Sequence, residues 1–499
     1  MAARSAMHAL QSIHDELWDP DRGMARYARG VTPGVDISAL GLHSVRETAL
    51  GALLDLQGGD LARAATALRN VLELQYPISA HPWSGTFPVA AEQPEPPGDD
   101  AIEWVHYDPN WRQFLGCILA LAALHHGESL PADITAGITA ALARCAAGEP
   151  EERIAEWYTN PNLMHAWLLA HVGRLHGDDD LAAAGERRAR RCVERFERFG
   201  DVDEYNSPTY DGIDLFALGL WVAHPPSPAF EQAGNALLAG LGSRITTLFD
   251  PELATTCGPY IRAYGITLAR YVSLTGLWID IATQIDVRAG TILPPTLDQD
   301  TDHVHDLYFL PALQLVAPAV LPHLDVRPVT AERSHQQSFG RAHAESLLRP
   351  GLAIGWDHGR RHQESLDQYV PFSAHVLDHR TATISALGVM LPDETAWIDC
   401  RRVDDLRWEL RAQARADSVG LRLVGTSRAG ITNDVEALRA VFGPAELRFD
   451  VAATTMAPSA THYGDELHLT WSRSDIRVEI LVHVDGAEPG STSTNPSDF

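Results

Sequence analysis

Three loops of similar composition stand about 50 residues apart and carry the side chains best suited to chemistry. They are Glu103-Trp104 with Asp108-Pro109-Asn110, Glu156-Trp157 with Asn160-Pro161-Asn162, and Glu204-Tyr205-Asn206 with Pro208. A stretch with helical periodicity follows each loop. Helix capping uses Asn, Asp, Ser or Thr and does not require a Glu-aromatic pair upstream. The recurrence therefore predicts one site that the three loops share.

The acids of these loops suit the cleavage of a glycosidic bond, which needs one carboxyl group as proton donor and a second as base or nucleophile. We expect Glu156, Glu204, Asp108 and Asp211 to supply these groups. An elimination would instead use a tyrosine or histidine as base, with an amide or arginine beside the developing negative charge. The residues that suit an elimination are Tyr205, Tyr210, His106, Asn206 and Arg262.

Aromatic and amide side chains near the acids are candidates for substrate binding. Sugar rings stack on aromatic faces, and carbocations are stabilised by the same faces. Arg262 follows Gly258-Pro259-Tyr260 and could hold a carboxylate through two parallel hydrogen bonds. The predicted substrate-binding residues are Trp83, His106, Trp157, Asn160, Asn206, Tyr210, Arg262 and Tyr264.

Each of these residues also has a purely structural interpretation. Asn and Asp before a helix act as N-caps, and a glutamate there can accept hydrogen bonds from turn amides. Asp211 and Asp214 lie in the first turn of a predicted helix, where carboxylates interact favourably with the helix dipole. Core packing explains any single aromatic residue. The catalytic interpretation depends on the recurrence of the set.

Signatures of cofactor and metal sites are weak. The sequence contains no lysine, which excludes a P-loop lysine and a Schiff-base lysine. His303 and His305, with Asp302 and Asp306, have metal-ligand character, but such a pattern has many structural uses. We therefore expect neither a cofactor nor a metal.

The periodicity of the chain predicts an α+β protein with two domains and a tail. Up to about residue 320 it indicates close to twelve helices, one of them at 260–280, which alternate between apolar and amphipathic. Six inner and six outer helices predict an (α/α)6 toroid over residues 1–330, with the repeated loops at one mouth. Alternating apolar residues predict an antiparallel β-sandwich over 345–486, interrupted by one helix near 433–442. Residues 487–499 are predicted to be a disordered tail.

A helical toroid followed by a β-sandwich resembles the superfamily of six-hairpin glycoside hydrolases and polysaccharide lyases, over nearly the whole chain but in architecture alone. The resemblance implies an enzyme that cleaves a glycosidic bond in a small oligosaccharide or glycoconjugate, and we favour hydrolysis over elimination. Terpene cyclases and linalool dehydratase-isomerase type enzymes also use α/α toroids. A terpenoid-type cyclase, isomerase or dehydratase with a loop acid as proton donor is the alternative, and a glycan-binding protein without catalysis is a third hypothesis.

Charge and hydropathy limit the partners of the chain. It has 39 basic and 66 acidic residues and a net charge of −27, which disfavours nucleic acid and anionic membrane surfaces. No apolar run reaches membrane-spanning length, and the first residues lack the pattern of a signal peptide. We expect a cytoplasmic protein with a small-molecule or oligosaccharide substrate. The sequence leaves the oligomeric state open, a homo-oligomer included.

Overall fold

The computed structural model divides the chain into two compact units. The helical unit comprises Met1–Phe249 and Thr267–Arg327, and the sheet unit comprises Asp250–Ile266 and Pro328–Phe499. Described residues are 2–31, 41–93, 97–150, 152–283, 292–360, 368–378, 383–390, 397–405, 407–413, 419–425, 430–434, 437–442, 447–450, 459–463, 466–471 and 475–482. The predicted tail, 487–499, lies outside them.

The described part of the helical unit contains eleven α-helices. They are α1 (Ala2–Leu17), α2 (Val45–Gly58), α3 (Leu61–Glu73), α4 (Trp111–His126), α5 (Ala132–Ala147), α6 (Thr159–His176), α7 (Asp179–Phe199), α8 (Tyr210–Ala223), α9 (Pro228–Leu248), α10 (Leu274–Thr283) and α11 (Leu310–Val320). A 3-10 helix, Val304–Phe309, precedes α11. The short strands are β1 (Trp18–Asp19), β2 (Met24–Ala25), β3 (Phe87–Pro88), β4 (Tyr107–Asp108), β5 (Phe249–Asp250) and β6 (Thr255–Thr256).

Local sequence signals set several helix ends. Ser44 caps α2, because its Oγ accepts a hydrogen bond from the Glu47 N–H at 3.2 Å. Asp178 caps α7 in the same way, through the Leu181 N–H at 2.9 Å. The helix α7 ends at Gly200, whose φ of 78° is a left-handed conformation that glycine adopts without strain.

The helices differ in burial as their sequences predict. In α8 every residue from Asp211 to Trp221 is buried. The amphipathic helix α7 buries only Ala182, Gly185, Arg188 and Ala189. A helix that is apolar on all sides needs neighbours on all sides, whereas an amphipathic helix needs them on one. The predicted difference between inner and outer helices is therefore present.

Among the described residues, five apolar helices contact one another in a cycle, whereas the sequence predicted six inner helices. Helix α2 contacts α4, α4 contacts α6, α6 contacts α8, α8 contacts α11, and α11 contacts α2. Each of α3, α5, α7 and α9 packs against the helix that precedes it in the chain. The three repeated loops precede α4, α6 and α8. This arrangement gathers the amino-terminal ends of α4, α6 and α8, which are neighbours in the cycle.

The helix predicted at 260–280 was wrong in its first half. The segment Asp250–Ile266 belongs to the sheet unit. There Tyr260 and Val370 exchange backbone hydrogen bonds of 3.1 and 2.9 Å, and the Ala263 N–H donates to the Gln368 carbonyl at 2.8 Å. Because these amide groups pair with another segment, they are not used within a helix. Helix α10 begins only at Leu274.

The described residues of the sheet unit contain two large antiparallel sheets, besides β6 and the residue Asp250 of β5. The strands are β7 (Arg333–Phe339), β8 (Ala342–Arg349), β9 (Leu352–His358), β10 (Phe372–Asp378), β11 (Thr383–Met390), β12 (Trp397–Asp404), β13 (Arg407–Gln413), β14 (Val419–Gly425), β15 (Gly430–Asp434), β16 (Ala437–Phe442), β17 (Leu447–Asp450), β18 (Ser459–Tyr463), β19 (Glu466–Trp471) and β20 (Asp475–Val482). One sheet has the order β18-β19-β14-β11-β10-β9-β8-β7, and the other β12-β13-β20-β17-β16-β15. The sheets meet where the Trp408 ring lies 5.6 Å from Trp356 and 5.7 Å from Phe372.

Antiparallel strands after residue 345 were predicted and are present, but two details differ. The helix predicted near 433–442 is wrong, because β15 and β16 occupy its described residues and β16 pairs with both β15 and β17. Pairing on both edges overrides a helical pattern of apolar residues. The hairpin of β7 and β8 begins before the predicted boundary at 345, since the sequence of β7 is polar and gives no apolar alternation.

Among the described residues, Val304–His323 is long and apolar enough to cross a membrane, but 72% of its apolar window is buried inside the protein. Burial of this kind is typical of a core helix.

Candidate active site

The loop before α4 carries a carboxyl group with a strongly raised pKa. Asp108 lies at the end of β4, and its Oδ1 accepts the Asn110 N–H at 2.8 Å. Burial raises the pKa of Asp108 to about 6, although the Asn110 N–H and the charges of Arg46 and Arg153 act in the opposite direction. Asp108 as a whole residue is only half-buried. Asp108 can therefore exchange a proton near neutral pH with a molecule from solvent.

A second carboxyl group, that of Glu103, lies close to Asp108. Glu103 forms a backbone bridge with Tyr107, and its negative charge helps to raise the pKa of Asp108. Glu103 as a whole residue is also half-buried. The next residue, Trp104, is 59% exposed and has a φ of 57°, a conformation that bulky residues rarely adopt. This loop thus presents two carboxyl groups and an exposed indole.

Hydrogen bonds join the loop before α4 to the loop before α6. Arg153 donates from Nη1 to the Asn110 Oδ1 at 3.1 Å, and Asn110 donates from Nδ2 to the Tyr158 hydroxyl at 3.0 Å. Arg153 is itself held by Glu149, to which its Nη2 donates at 2.8 Å. The Glu149 side chain is fully buried and also accepts a hydrogen bond from Arg112 at 3.1 Å. Two arginines on one buried carboxylate fix the geometry around Asn110.

The first turn of α2 brings a cation to the same region. Arg46 donates from Nε to the Glu47 Oε1 at 2.8 Å. Burial lowers the pKa of Arg46, but the charges of Glu47 and Asp306 raise it by more, so that it stays a cation. Because Arg46 also acts on the carboxyl of Asp108, the amino-terminal parts of α2 and α4 lie close together with the 3-10 helix before α11.

Glu204 holds the start of α6 rather than facing solvent. It is buried, and its carboxylate accepts the Asn160 N–H at 3.0 Å and the Asn160 Nδ2 at 2.8 and 3.1 Å. The neighbouring residues Tyr205 and Asn206 are buried as well, and Asn206 has a φ of 56°. The loop before α8 is thus anchored to the amino terminus of α6.

Asp211 belongs to a buried ion network. Arg244 donates to Asp211 from Nη1 and, at 3.0 Å, from Nη2, and it donates to Asp201 at 3.0 and 3.2 Å. Burial raises the pKa of Asp211 to about 6, although Arg244 acts against this. Asp214, one turn further along α8, is buried with a pKa well above its usual value because of burial and the charge of Glu204.

Glu156 and Trp157 lie toward the outer helix α7. The Glu156 side chain is 75% exposed, and its carboxylate is 3.5 Å from the Arg195 guanidinium. Trp157 is half-buried and stacks on Tyr158, with ring centroids 5.5 Å apart. Glu156 is therefore tied to α7 and not to the cluster around Asp108.

The remaining predicted binding residues fall into separate surroundings. Trp83 is buried against Tyr76, at 5.5 Å between ring centroids. His106 accepts the Ile102 N–H on Nδ1 at 2.9 Å, within its own turn. Tyr210 is half-buried at the start of α8.

Arg262 and Tyr264 belong to the sheet unit, where Arg262 donates to the Gln368 Oε1 at 3.1 Å. Tyr264 is exposed. The catalytic and binding roles assigned from the sequence to all these residues stay predictions.

Residues 5–318 match the family model described as a domain of unknown function, DUF8769. The chain belongs to this family. The DUF8769 match runs from α1 into α11 and ends before β7. None of the curated proteins compared with the chain matches it.

Solved structures resemble the chain only distantly. Heparinase III is 9% identical with a TM-score of 0.44, and the match covers 88% of this chain and 76% of that one. Endoglucanase CelQ from Clostridium thermocellum, complexed with cellotriose, is 11% identical with a TM-score of 0.28, covering 97% and 92%. The same enzyme complexed with cellotetraose is 10% identical with a TM-score of 0.26, covering 89% and 84%. Similarities of this extent say nothing about activity.

Sequence reasoning missed several members of the polar cluster in the DUF8769 domain. Arg46 directly follows the capped start of α2, and Arg153 and Tyr158 flank Glu156 in the second loop. The sequence did contain a hint of the position of Arg46. Ser44, followed three residues later by Glu47, marks the start of a helix, and a polar side chain in the first turn of that helix can face the neighbouring loops. Because Arg46 and Asp108 are far apart in the sequence, their proximity could not be predicted from it.

Proposed function

We propose that this protein is a carbohydrate-active enzyme that hydrolyses a glycosidic bond in a small oligosaccharide or glycoconjugate, with Asp108 as the proton donor. We further propose that the helical unit is an α/α toroid of the (α/α)6 type. The cyclic contacts of five apolar helices support a closed ring, although the sequence predicted six inner helices. The observation that carries the proposal is the carboxyl of the half-buried residue Asp108, with a pKa raised to about 6, next to Glu103.

The general acid of a glycosidase must be protonated in the resting enzyme and must release its proton readily. Both conditions are met when its pKa lies near the working pH. Asp108 meets them, and Glu103 supplies the second carboxylate that hydrolysis needs. Glu204 and Asp211 are less suited, because Asn160 and Arg244 already occupy their carboxylates.

The surroundings of Asp108 suit a polar substrate. Arg46, Arg153 and the Tyr158 hydroxyl can donate hydrogen bonds to sugar hydroxyls, and the exposed face of Trp104 can stack on a sugar ring. A cyclase that guides a carbocation needs an apolar cavity walled by aromatic rings. The charged groups around Asp108 therefore favour the hydrolase over the cyclase alternative.

The test is the variant Asp108→Asn, which keeps the size of the side chain and removes the titrating group. Against a panel of nitrophenyl glycosides and short oligosaccharides, turnover on any substrate that the wild type cleaves should fall by ~10² or more. The wild-type rate should decline as the pH rises through about 6, because the acid form of Asp108 is then lost. The matched control is Asp325→Asn, an exposed carboxylate paired with Arg327, which should retain wild-type turnover.

Product analysis separates the two ways of cleaving the bond. Hydrolysis gives a new reducing end and two saturated products, whereas elimination gives an unsaturated sugar that absorbs in the ultraviolet. An Asp108→Asn variant that is folded and as active as the wild type would refute the assigned role. Unsaturated products would show that the enzyme cleaves the bond by elimination and not by hydrolysis, and this reaction would require a different base.

A further inference from the structure

Three potential metal ligands lie together immediately before α11. His303, His305 and Asp306 each offer one side-chain ligand atom, and these atoms all lie within 4.8 Å of one another. All three residues are largely protected from solvent. They come from a stretch of four residues that includes the first turn of the 3-10 helix. The cluster is therefore compact and built by local backbone geometry.

Polar atoms of this cluster are buried without a hydrogen-bond partner among the described residues. They are the Oδ2 of Asp306 and the Nδ1 of His305. Leaving such buried atoms without a hydrogen bond is unfavourable, so native structures rarely tolerate them. The other polar atoms of the two side chains, Nε2 of His305 and Oδ1 of Asp306, lie 3.4 Å apart. The cluster therefore combines a close histidine–aspartate pair with buried lone pairs that a further group could satisfy.

The backbone holds the cluster in a strained conformation. His303 has a φ of 54°, in the left-handed region, although it is not glycine. Its N–H donates to the Gly30 carbonyl at 2.7 Å, and its carbonyl accepts the Asp306 N–H at 2.9 Å. Strain of this type is kept where the surrounding structure enforces it, often at binding sites. The ring centroids of His303 and His305 are 5.3 Å apart.

We propose that His303, His305 and Asp306 bind one divalent transition-metal ion, with Zn²⁺ best matched to the donors. Two imidazoles and one carboxylate form a donor set that zinc and its neighbours prefer over the all-oxygen sets of Ca²⁺ and Mg²⁺. In a tetrahedral zinc site with bonds of about 2.0–2.1 Å, ligand atoms are roughly 3.3 Å apart. Small side-chain rotations would bring the three ligand atoms from their present spacing to this distance. Three protein ligands leave one position for water or substrate.

Charged side chains next to the cluster also affect how favourably it can bind a metal ion. The Asp302 Oδ1 is 3.8 Å from the His303 Nε2 and can orient that ring as an outer carboxylate. The cation Arg46 acts electrostatically on His305 and Asp306, which opposes a metal ion. Its charge is largely offset by Glu47, whose carboxylate contacts it at 2.6 Å. The sequence pattern alone did not justify a metal site, since it shows neither the burial nor the orphaned atoms.

The test is metal binding by the full chain with any affinity tag removed. Protein stripped with a chelator is titrated with Zn²⁺, passed through a desalting column and assayed for metal by mass spectrometry. We expect one zinc ion per chain, and no ion retained after the same treatment with Ca²⁺ or Mg²⁺. The variants His305→Gln and Asp306→Asn should bind zinc at least ~100-fold more weakly, since a direct ligand contributes more than the outer partners whose loss costs 10–100-fold.

The matched control is His176→Gln, an exposed histidine at the end of α6, which should keep the zinc ion. Thermal unfolding shows whether each variant folds, and Zn²⁺ should raise the midpoint of the wild type but not of Asp306→Asn. Wild-type protein that retains no zinc would overturn the proposal. So would variants that bind zinc as tightly as the wild type, or equal retention of Ca²⁺. None of these readouts depends on catalytic activity.

Discussion

Replacing Arg244 by methionine should destabilise the helical unit strongly and in a pH-dependent way. Arg244 makes four hydrogen bonds to Asp201 and Asp211, and the exposed fraction of all three side chains is at most 3%. Methionine retains much of the apolar volume but leaves two carboxyl groups buried without a cation. The variant therefore isolates the cost of the missing charge.

The magnitude follows from two independent considerations. Removing one partner of a buried ion pair costs about 3–5 kcal/mol. Alternatively, the stranded carboxyl groups become neutral, and protonating a carboxyl of pKa about 3.9 at pH 7 costs about 4 kcal/mol, at 1.36 kcal/mol for each pH unit. Asp211 already has a pKa near 6 in the wild type, so it adds little beyond this. Both considerations predict that the free energy of unfolding falls by about 4 kcal/mol.

The sign of the pH effect is fixed by the same reasoning. A carboxyl whose pKa is raised in the folded state favours folding at low pH and loses that contribution as the pH rises through its folded pKa. Neutralising a carboxyl of usual pKa costs only about 1.5 kcal/mol at pH 5. The destabilisation by Arg244→Met should therefore shrink to less than half between pH 7 and pH 5.

Urea unfolding followed by circular dichroism at pH 5 and pH 7 measures both quantities. At pH 7 the thermal midpoint should fall by roughly 10 °C, from about 2–4 °C per kcal/mol for a large domain. The control is Arg327→Met, which removes an exposed arginine paired with the exposed Asp325 and should leave the free energy of unfolding unchanged within error. Equal destabilisation at both pH values would show that lost packing, not charge, sets the cost.

Three further predictions concern buried residues. Burial lowers the pKa of His165 to about 3, so the stability of the wild type relative to His165→Gln should fall by about 2 kcal/mol from pH 6.5 to pH 5, as measured by urea unfolding of both proteins at each pH. Gly185→Ala would place Cβ 2.5 Å from the Ala170 nitrogen and should cost about 1–3 kcal/mol in urea unfolding, whereas Gly58→Ala, with no atom within 4 Å, should cost nothing. Glu204→Gln should lower stability by about 2 kcal/mol because it weakens the charged hydrogen bonds to Asn160, and an unchanged rate per folded molecule would identify Glu204 as an anchor.

Local signals in the sequence determined much of the helical unit. The apolar character of α8 and the amphipathic character of α7 follow from periodicity, and burial in the structure agrees with both. The caps at Ser44 and Asp178 are equally local. The loop before α8 is joined to the start of α6 by the hydrogen bond from Asn160 to Glu204, but the single site that the recurrence of the loops predicted stays a prediction.

The sequence could not distinguish the roles of three similar glutamates. Glu103 lies beside Asp108, Glu156 faces Arg195 on an outer helix, and Glu204 is buried under the start of α6. Their immediate neighbours in sequence are alike, and the difference arises from which helix each loop packs against. Catalytic candidates could therefore be named from the sequence but not ranked.

Tertiary pairing alone decided the remaining features. The segment Asp250–Ile266 joins the sheet unit because its backbone amides pair with residues more than 100 positions away, and the residues of β16 form a strand because both of its edges are paired. The cluster of Arg46, Asp108 and Asp306 likewise joins three distant parts of the chain. Periodicity and capping depend on neighbours within a few residues, so a sequence states them directly. Contacts across long loops depend on the packing of whole elements, and only the folded chain fixes them.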